Sequence, residues 1–163
     1  MVSTKSGEDQ TAHAELNIDW EHVLYGGLRG IKTFGSVGVS TRGSVEKIGL
    51  TESGLKGFLS LRLKNNFAGI KYENLLEPYR LPSDTEKSAT IGTFWCNVWT
   101  VGDDYPIAYH VKCRGGNLNN YDIWSSEDLG YGNKRTVPES IKEALNKLVE
   151  EFAIQFLNVH GEM

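Results

Sequence analysis

The chain is poor in cysteine, carrying only Cys96 and Cys113 in 163 residues. Two thiols rule out a disulfide framework of the kind that staples small secreted domains. Without C-x-x-C spacing they also argue against structural zinc and thioredoxin-like chemistry. Long apolar runs are missing, and no stretch approaches the ~20 residues of a membrane-spanning helix. Positive charge is not in excess: 17 Lys and Arg stand against 21 Asp and Glu, a net charge of −4. That balance argues against duplex nucleic acid or an anionic membrane as partner, short of a local basic patch.

Catalytic signatures are absent too. Gly26-Gly27-Leu28-Arg29-Gly30 and Gly35-Ser36-Val37-Gly38 match neither phosphate-binding glycine pattern, and no G-x-S-x-G occurs. The four histidines, His13, His22, His110 and His160, do not fall at metal-ligand spacing. Asp103-Asp104 sits in Gly-Asp-Asp-Tyr-Pro, which reads as a turn. No metal, cofactor or catalytic set is therefore expected. Met1–Gln10 is polar, lacking the charged start and apolar stretch of a secretory leader. A cytoplasmic protein fits, and so does an exported one whose leader has been removed.

Residues 1 to about 15 lack apolar periodicity, and Leu16–Leu24 is ambiguous, with room for one helical turn at Asp19–Leu24. Residues 1–27 are expected to form a flexible segment before a single domain over 28–163. Val37 and Val39 alternate with Gly38 and Ser40, predicting a strand from Ile31 to Thr41. Thr51 and Glu52 then open a helix whose stripe is Leu55, Phe58, Leu59, Leu63 and Phe67. Ile70–Leu75 reads as a second strand and Pro78–Ser88 as a loop. Phe94–Trp99 and Ile107–Cys113 form a hairpin. Gly115–Asn120 reads as a turn, Tyr121–Ser125 as a fifth strand and Asp128–Asn133 as a flexible connector. Thr136-Val137-Pro138-Glu139 has the pattern of a capping box. The stripe Ile141, Leu145, Leu148, Phe152, Phe156 and Val159 follows, closed by Gly161. The order β-α-β-β-β-β-α predicts an α+β two-layer sandwich, a mainly antiparallel sheet of four to five strands with two helices on one face.

The hairpin register decides what each sheet face carries, because a slip of one residue exchanges the faces. With Cys96 opposite Cys113, Phe94, Val98, Val111, Thr100 and Tyr109 share the side turned to the helices. The reverse side then holds Trp95, Asn97, Trp99, Ala108, His110, Lys112 and Arg114, with Trp124 joining from the fifth strand. Two readings of the cysteines stand: reduced, buried small hydrophobes, or a cross-strand disulfide that places the protein outside the cytoplasm. The tryptophans likewise are either ordinary strand aromatics covered by another segment or an exposed aromatic and cationic platform. Such a platform suits a protein interface, a sugar ring or single-stranded bases. The acidic net charge and the absence of an RNP-type motif turn the expectation to a protein partner or a second copy of the chain.

From Leu28 onward the chain resembles small exported bacterial proteins. The residues that carry the resemblance are Leu28, Gly30, Ile31, Val37 and Val39, then Leu59-Ser60-Leu61-Arg62-Leu63 with Ala68-Gly69-Ile70. Leu129-Gly130-Tyr131-Gly132 and Phe152, Phe156 and Leu157 complete the set. The element order is similar to the N-terminal domain of the translocation protein TolB and to auxiliary lipoproteins of ABC transporters. These resemblances imply a periplasmic binding or assembly role without catalytic residues. The competing expectation is a small-molecule binder or small enzyme with a pocket between sheet and helices, built on His110, Tyr109 and Asp122.

Overall fold

A computed structural model describes residues 24–72 and 84–161, with the backbone alone at 71 and 72. The expectations placed on residues 1–23, on His13 and His22, on 73–83 and on 162–163 lie outside the described residues. Eight elements follow in order: β1 Thr33–Gly43, α1 Glu52–Asn66, β2 Lys71–Tyr72, α2 Thr85–Ala89, β3 Ile91–Val101, β4 Ile107–Asn117, β5 Asn120–Gly132 and α3 Val137–His160. They form the expected two-layer α+β sandwich. The five strands lie in the order β2-β1-β3-β4-β5. α1 packs on β1, α3 packs on β4 and β5, and the two helices touch each other on the same side of the sheet.

The sheet is mixed. β3, β4 and β5 run antiparallel as a meander, whereas β1 pairs parallel with both β2 and β3. A parallel neighbour needs a crossover rather than a turn, and α1 supplies it between β1 and β2. Glu52 at the head of α1 reaches back to β1, where its carboxylate accepts hydrogen bonds from the Thr41 backbone N–H at 3.3 Å and the Thr41 hydroxyl at 3.4 Å. A side-chain acceptor there occupies a donor that an edge strand would otherwise leave open.

Local signals act largely as expected in the helices. Thr51 caps α1, its hydroxyl oxygen accepting from Gly54 N–H at 3.0 Å, and Leu55, Leu59, Leu63 and Phe67 are buried. The start of α3 differs. Thr136 makes no side-chain cap, and the Asn133 side-chain oxygen takes the N–H groups of Arg135 and Thr136 at 2.9 and 3.1 Å. The expected capping box therefore gives way to an asparagine turn one step earlier. At the other end, the Arg29 guanidinium donates to the carbonyl of Val159 at 2.9 Å, while His160 Nδ1 lies 2.8 Å from the Phe156 carbonyl. The first satisfies a carbonyl that the helix terminus leaves without a partner.

Two expectations in the meander are corrected. Gly115 and Gly116 lie within β4 instead of a turn, and Asp128–Gly132 is strand instead of flexible connector. The Leu-Gly-Tyr-Gly stretch stays extended because β4 pairs with it throughout, Tyr109 opposite Gly130 and Ala108 opposite Tyr131. Side-chain contacts reinforce this part of β5: Ser126 donates to Glu151 at 2.8 Å, and Asp128 lies 3.7 Å from the ammonium of Lys147.

Between sheet and helices, Phe152 of α3 meets the rings of Phe34, Phe67, Phe94, Trp124 and Phe156, with centroids 4.9–6.1 Å apart. Gly115 makes this possible, because a Cβ there would stand 2.3 Å from Phe152 Cε2. The gap among Phe34, Leu63, Phe67 and Ile70 is about 10 Å³, too small to hold a ligand.

Candidate functional site: the outer face of the sheet

Cys96 faces Cys113 in the predicted register, with Cα atoms 4.1 Å apart, and the two are joined as a disulfide. Both are fully buried beside Phe94, Val98 and Val111. This inward placement sends the alternate residues outward. Successive rows across the uncovered side read Val101–Ala108–Tyr131, Arg42–Trp99–His110–Leu129, Ser40–Asn97–Lys112–Glu127, Gly38–Trp95–Arg114–Ser125 and Ser36–Thr93–Gly116.

Five expected site residues, Trp95, Trp99, His110, Lys112 and Arg114, therefore share one face. Trp95 and Trp99 are 44 % and 52 % exposed. Trp95 lies across the backbone of Gly38 so closely that a Cβ on that glycine would come within 2.1 Å of the indole. The ring is thus laid flat along the sheet.

Trp124 is the exception and is corrected: it turns inward and is buried, its ring 6.1 Å from Phe94 and 5.1 Å from Phe152. Its partner in β4 is Gly115, on the same side as Phe94. Gly115 leaves room on that side, and the Phe152 ring occupies it beside the indole. Residue alternation within 121–124 taken alone could not reveal this, since the β4–β5 register shifts between Gly115 and Asn117.

Charges on the face are unevenly matched. His110 Nε2 sits 2.8 Å from a Glu127 carboxylate oxygen. Ser40 donates its hydroxyl proton to the Asn97 side-chain oxygen. Lys112 and Arg114 have no carboxylate partner among the described residues, although Glu127 lies directly across from Lys112. Beyond the rim, Lys47 pairs with Asp103 at 3.0 Å, which makes that aspartate a turn anchor. Among the described residues no cluster of metal-ligating side chains occurs.

Sequence reasoning missed Val101, Leu129 and Tyr131, all exposed and all at one end of the face, along with Ser36, Thr93 and Tyr121 at the other. Extending the hairpin register into β5 would have found Leu129 and Tyr131, had the glycines between them not read as a break in the strand.

His110, Tyr109 and Asp122, the set expected of a small enzyme, are not brought together. His110 faces out, Tyr109 packs against Gly130 on the helical side, and Asp122 is exposed near the start of β5. Burial, with Asp128 nearby, pushes the Tyr109 phenol above its ordinary 10.0; a hydrogen bond with Ser140 opposes this, and Glu143 adds to the rise. The folded state thus favours the neutral phenol, and stability falls as pH climbs through the ordinary tyrosine value. Tyr109→Phe should flatten that alkaline loss when melting temperature is followed from neutral pH to beyond about pH 10.

Comparison with known proteins finds no matching family model and no matching curated protein. Among solved structures, a leucine-to-methionine variant of the PelC dodecamer from Paraburkholderia phytofirmans aligns with a TM-score of 0.50 at 11 % identity. The alignment covers 78 % of this chain and 91 % of that one. A second PelC dodecamer structure from the same organism gives 0.47 at 12 % identity, over 74 % and 86 % of the two chains. At these identities the likeness is one of fold.

Proposed function

We propose that this protein is a non-catalytic, extracytoplasmic assembly module that meets a second copy of itself through the outer face of its sheet. One observation carries this reading: Trp99, Val101, Leu129 and Tyr131 stand exposed together at one end of a rigid sheet. A cluster of large apolar groups held out of the core is the usual mark of a contact surface, and aromatic anchors supply most of its energy. His110, Lys112, Arg114 and Trp95 border the cluster and provide a polar rim. Two further facts support the reading. PelC, which shares the fold, is described as a dodecamer. The buried Cys96–Cys113 disulfide suits an oxidising compartment.

Light scattering coupled to size exclusion tests the assembly. The wild-type chain should run at a multiple of 18.2 kDa. Trp99→Ala combined with Leu129→Glu should return it to one chain with little change in melting temperature, since neither residue is in the core. A wild-type mass of one chain at every concentration would remove self-association. A double variant that keeps the assembled mass would remove this patch from it. For location, mass spectrometry of native-source protein under non-reducing conditions should give a chain two hydrogens lighter than the reduced form.

A further inference from the structure

A cleft of about 360 Å³ opens at the opposite end of the outer face, lined by Ser36, Thr93, Trp95, Asn97, Arg114 and Tyr121. Its volume falls in the range of small-molecule sites. Both sheet irregularities converge on it. β1 shifts register between Phe34 and Ser36, and β4 shifts against β5 between Gly115 and Asn117. Thr93 of β3 lies between the two, opposite Ser36 on one side and Gly116 on the other. Bulges re-aim side chains and gather beside functional sites.

The floor of the cleft is polar where a plain sheet would have no reason to be. Thr93 is only 4 % exposed, and its hydroxyl has no hydrogen-bond partner among the described residues although it lines the opening. Its oxygen still reaches solvent through the opening, so it is free to bond to whatever enters the cleft. On one wall the Trp95 indole lies flat, as the close approach of Gly38 requires. Beside it the Arg114 guanidinium has no acidic partner among the described residues. The Asn97 amide oxygen is already occupied by Ser40, leaving its NH₂ to donate.

We infer that this cleft binds a small ligand made of a six-membered ring carrying a carboxylate. The ring would stack on Trp95, the carboxylate would take the paired N–H groups of Arg114, and Thr93 and Asn97 would bond to the remaining oxygens. An aromatic acid and a uronic acid both have this chemistry. The site goes beyond the assembly role: it shares Trp95 and Arg114 with the rim of that contact, and Ser36, Thr93 and Tyr121 lie beyond it.

Titration calorimetry on the intact protein separates the outcomes. Benzoate and 3-phenylpropionate represent the aromatic source, glucuronate the sugar source; benzyl alcohol and glucose are their neutral counterparts. At least one acid should bind saturably at one site per chain, and more tightly than its neutral counterpart. Arg114→Gln should weaken that binding by about tenfold, and Thr93→Val by a few-fold. The Trp95 indole N–H resonance should shift on titration. Circular dichroism should show all variants folded, and Trp99→Ala with Leu129→Glu should bind as the wild type does. That last variant keeps a failed ligand site distinct from a failed assembly surface. No saturable binding of any acid, equal binding of acid and neutral ring, or indifference to Arg114→Gln would each overturn the proposal.

Discussion

Phe152→Ala is expected to lower the unfolding free energy by about 3–5 kcal/mol. The residue is fully buried and its ring meets five other aromatic rings, from β1, the end of α1, β3, β5 and α3 itself. Removing it leaves a cavity that cannot collapse easily. Gly115 beneath it has no side chain to move in, and the rings of Phe94 and Trp124 are held by the sheet. Urea denaturation followed by near-ultraviolet circular dichroism measures the loss. Phe152→Leu should recover roughly half of it, because much of the volume returns without the ring contacts. A loss below about 1 kcal/mol for the alanine variant would mean that α3 does not seat on the sheet at this point.

The second large effect concerns the disulfide. Cys96→Ala with Cys113→Ala should cost about 3 kcal/mol, since the bond closes a loop of 17 residues in the unfolded chain and sits in the middle of the core face. The folded hairpin itself should persist, because its ladder runs from Gly92–Asn117 to Val101–Ala108 and does not depend on the sulfur atoms. Both sulfurs are shielded from solvent, so a thiol reductant has no in-line approach in the native state. Reduction of the wild-type protein should therefore track unfolding: slow in buffer, fast near the denaturation midpoint. Rapid reduction of the folded protein with no loss of stability would contradict this account.

The contrast between the two effects explains why the outer face is free to vary. The aromatic cluster and the disulfide hold the inner side, so Trp99, Leu129 and Tyr131 can remain in solvent without being needed for folding. Their exposure is a by-product of a register that the core enforces. That separation is what makes substitutions at the outer face clean tests of binding.

Much of this arrangement was legible in the chain itself. Cys96 and Cys113, spaced about a short turn with alternating apolar neighbours, determine the hairpin register, and the register alone sends Trp95, Trp99, His110, Lys112 and Arg114 to one side. The two helices follow from stripes of period near 3.6, with Thr51 and Gly161 marking ends. These are local signals, carried by residues within one turn or one hairpin of each other. What only the tertiary structure decided was non-local. β1 pairs in parallel with β3 across some fifty intervening residues, and no sequence periodicity encodes a partner at that distance. Trp124 turned inward opposite Gly115, where its ring packs on Phe94 and Phe152 from two other elements. Thr93 came to line a cleft because register shifts in two neighbouring pairings meet there. Such shifts arise from competing contacts on both sides of a strand, and those contacts exist only once the sheet has formed.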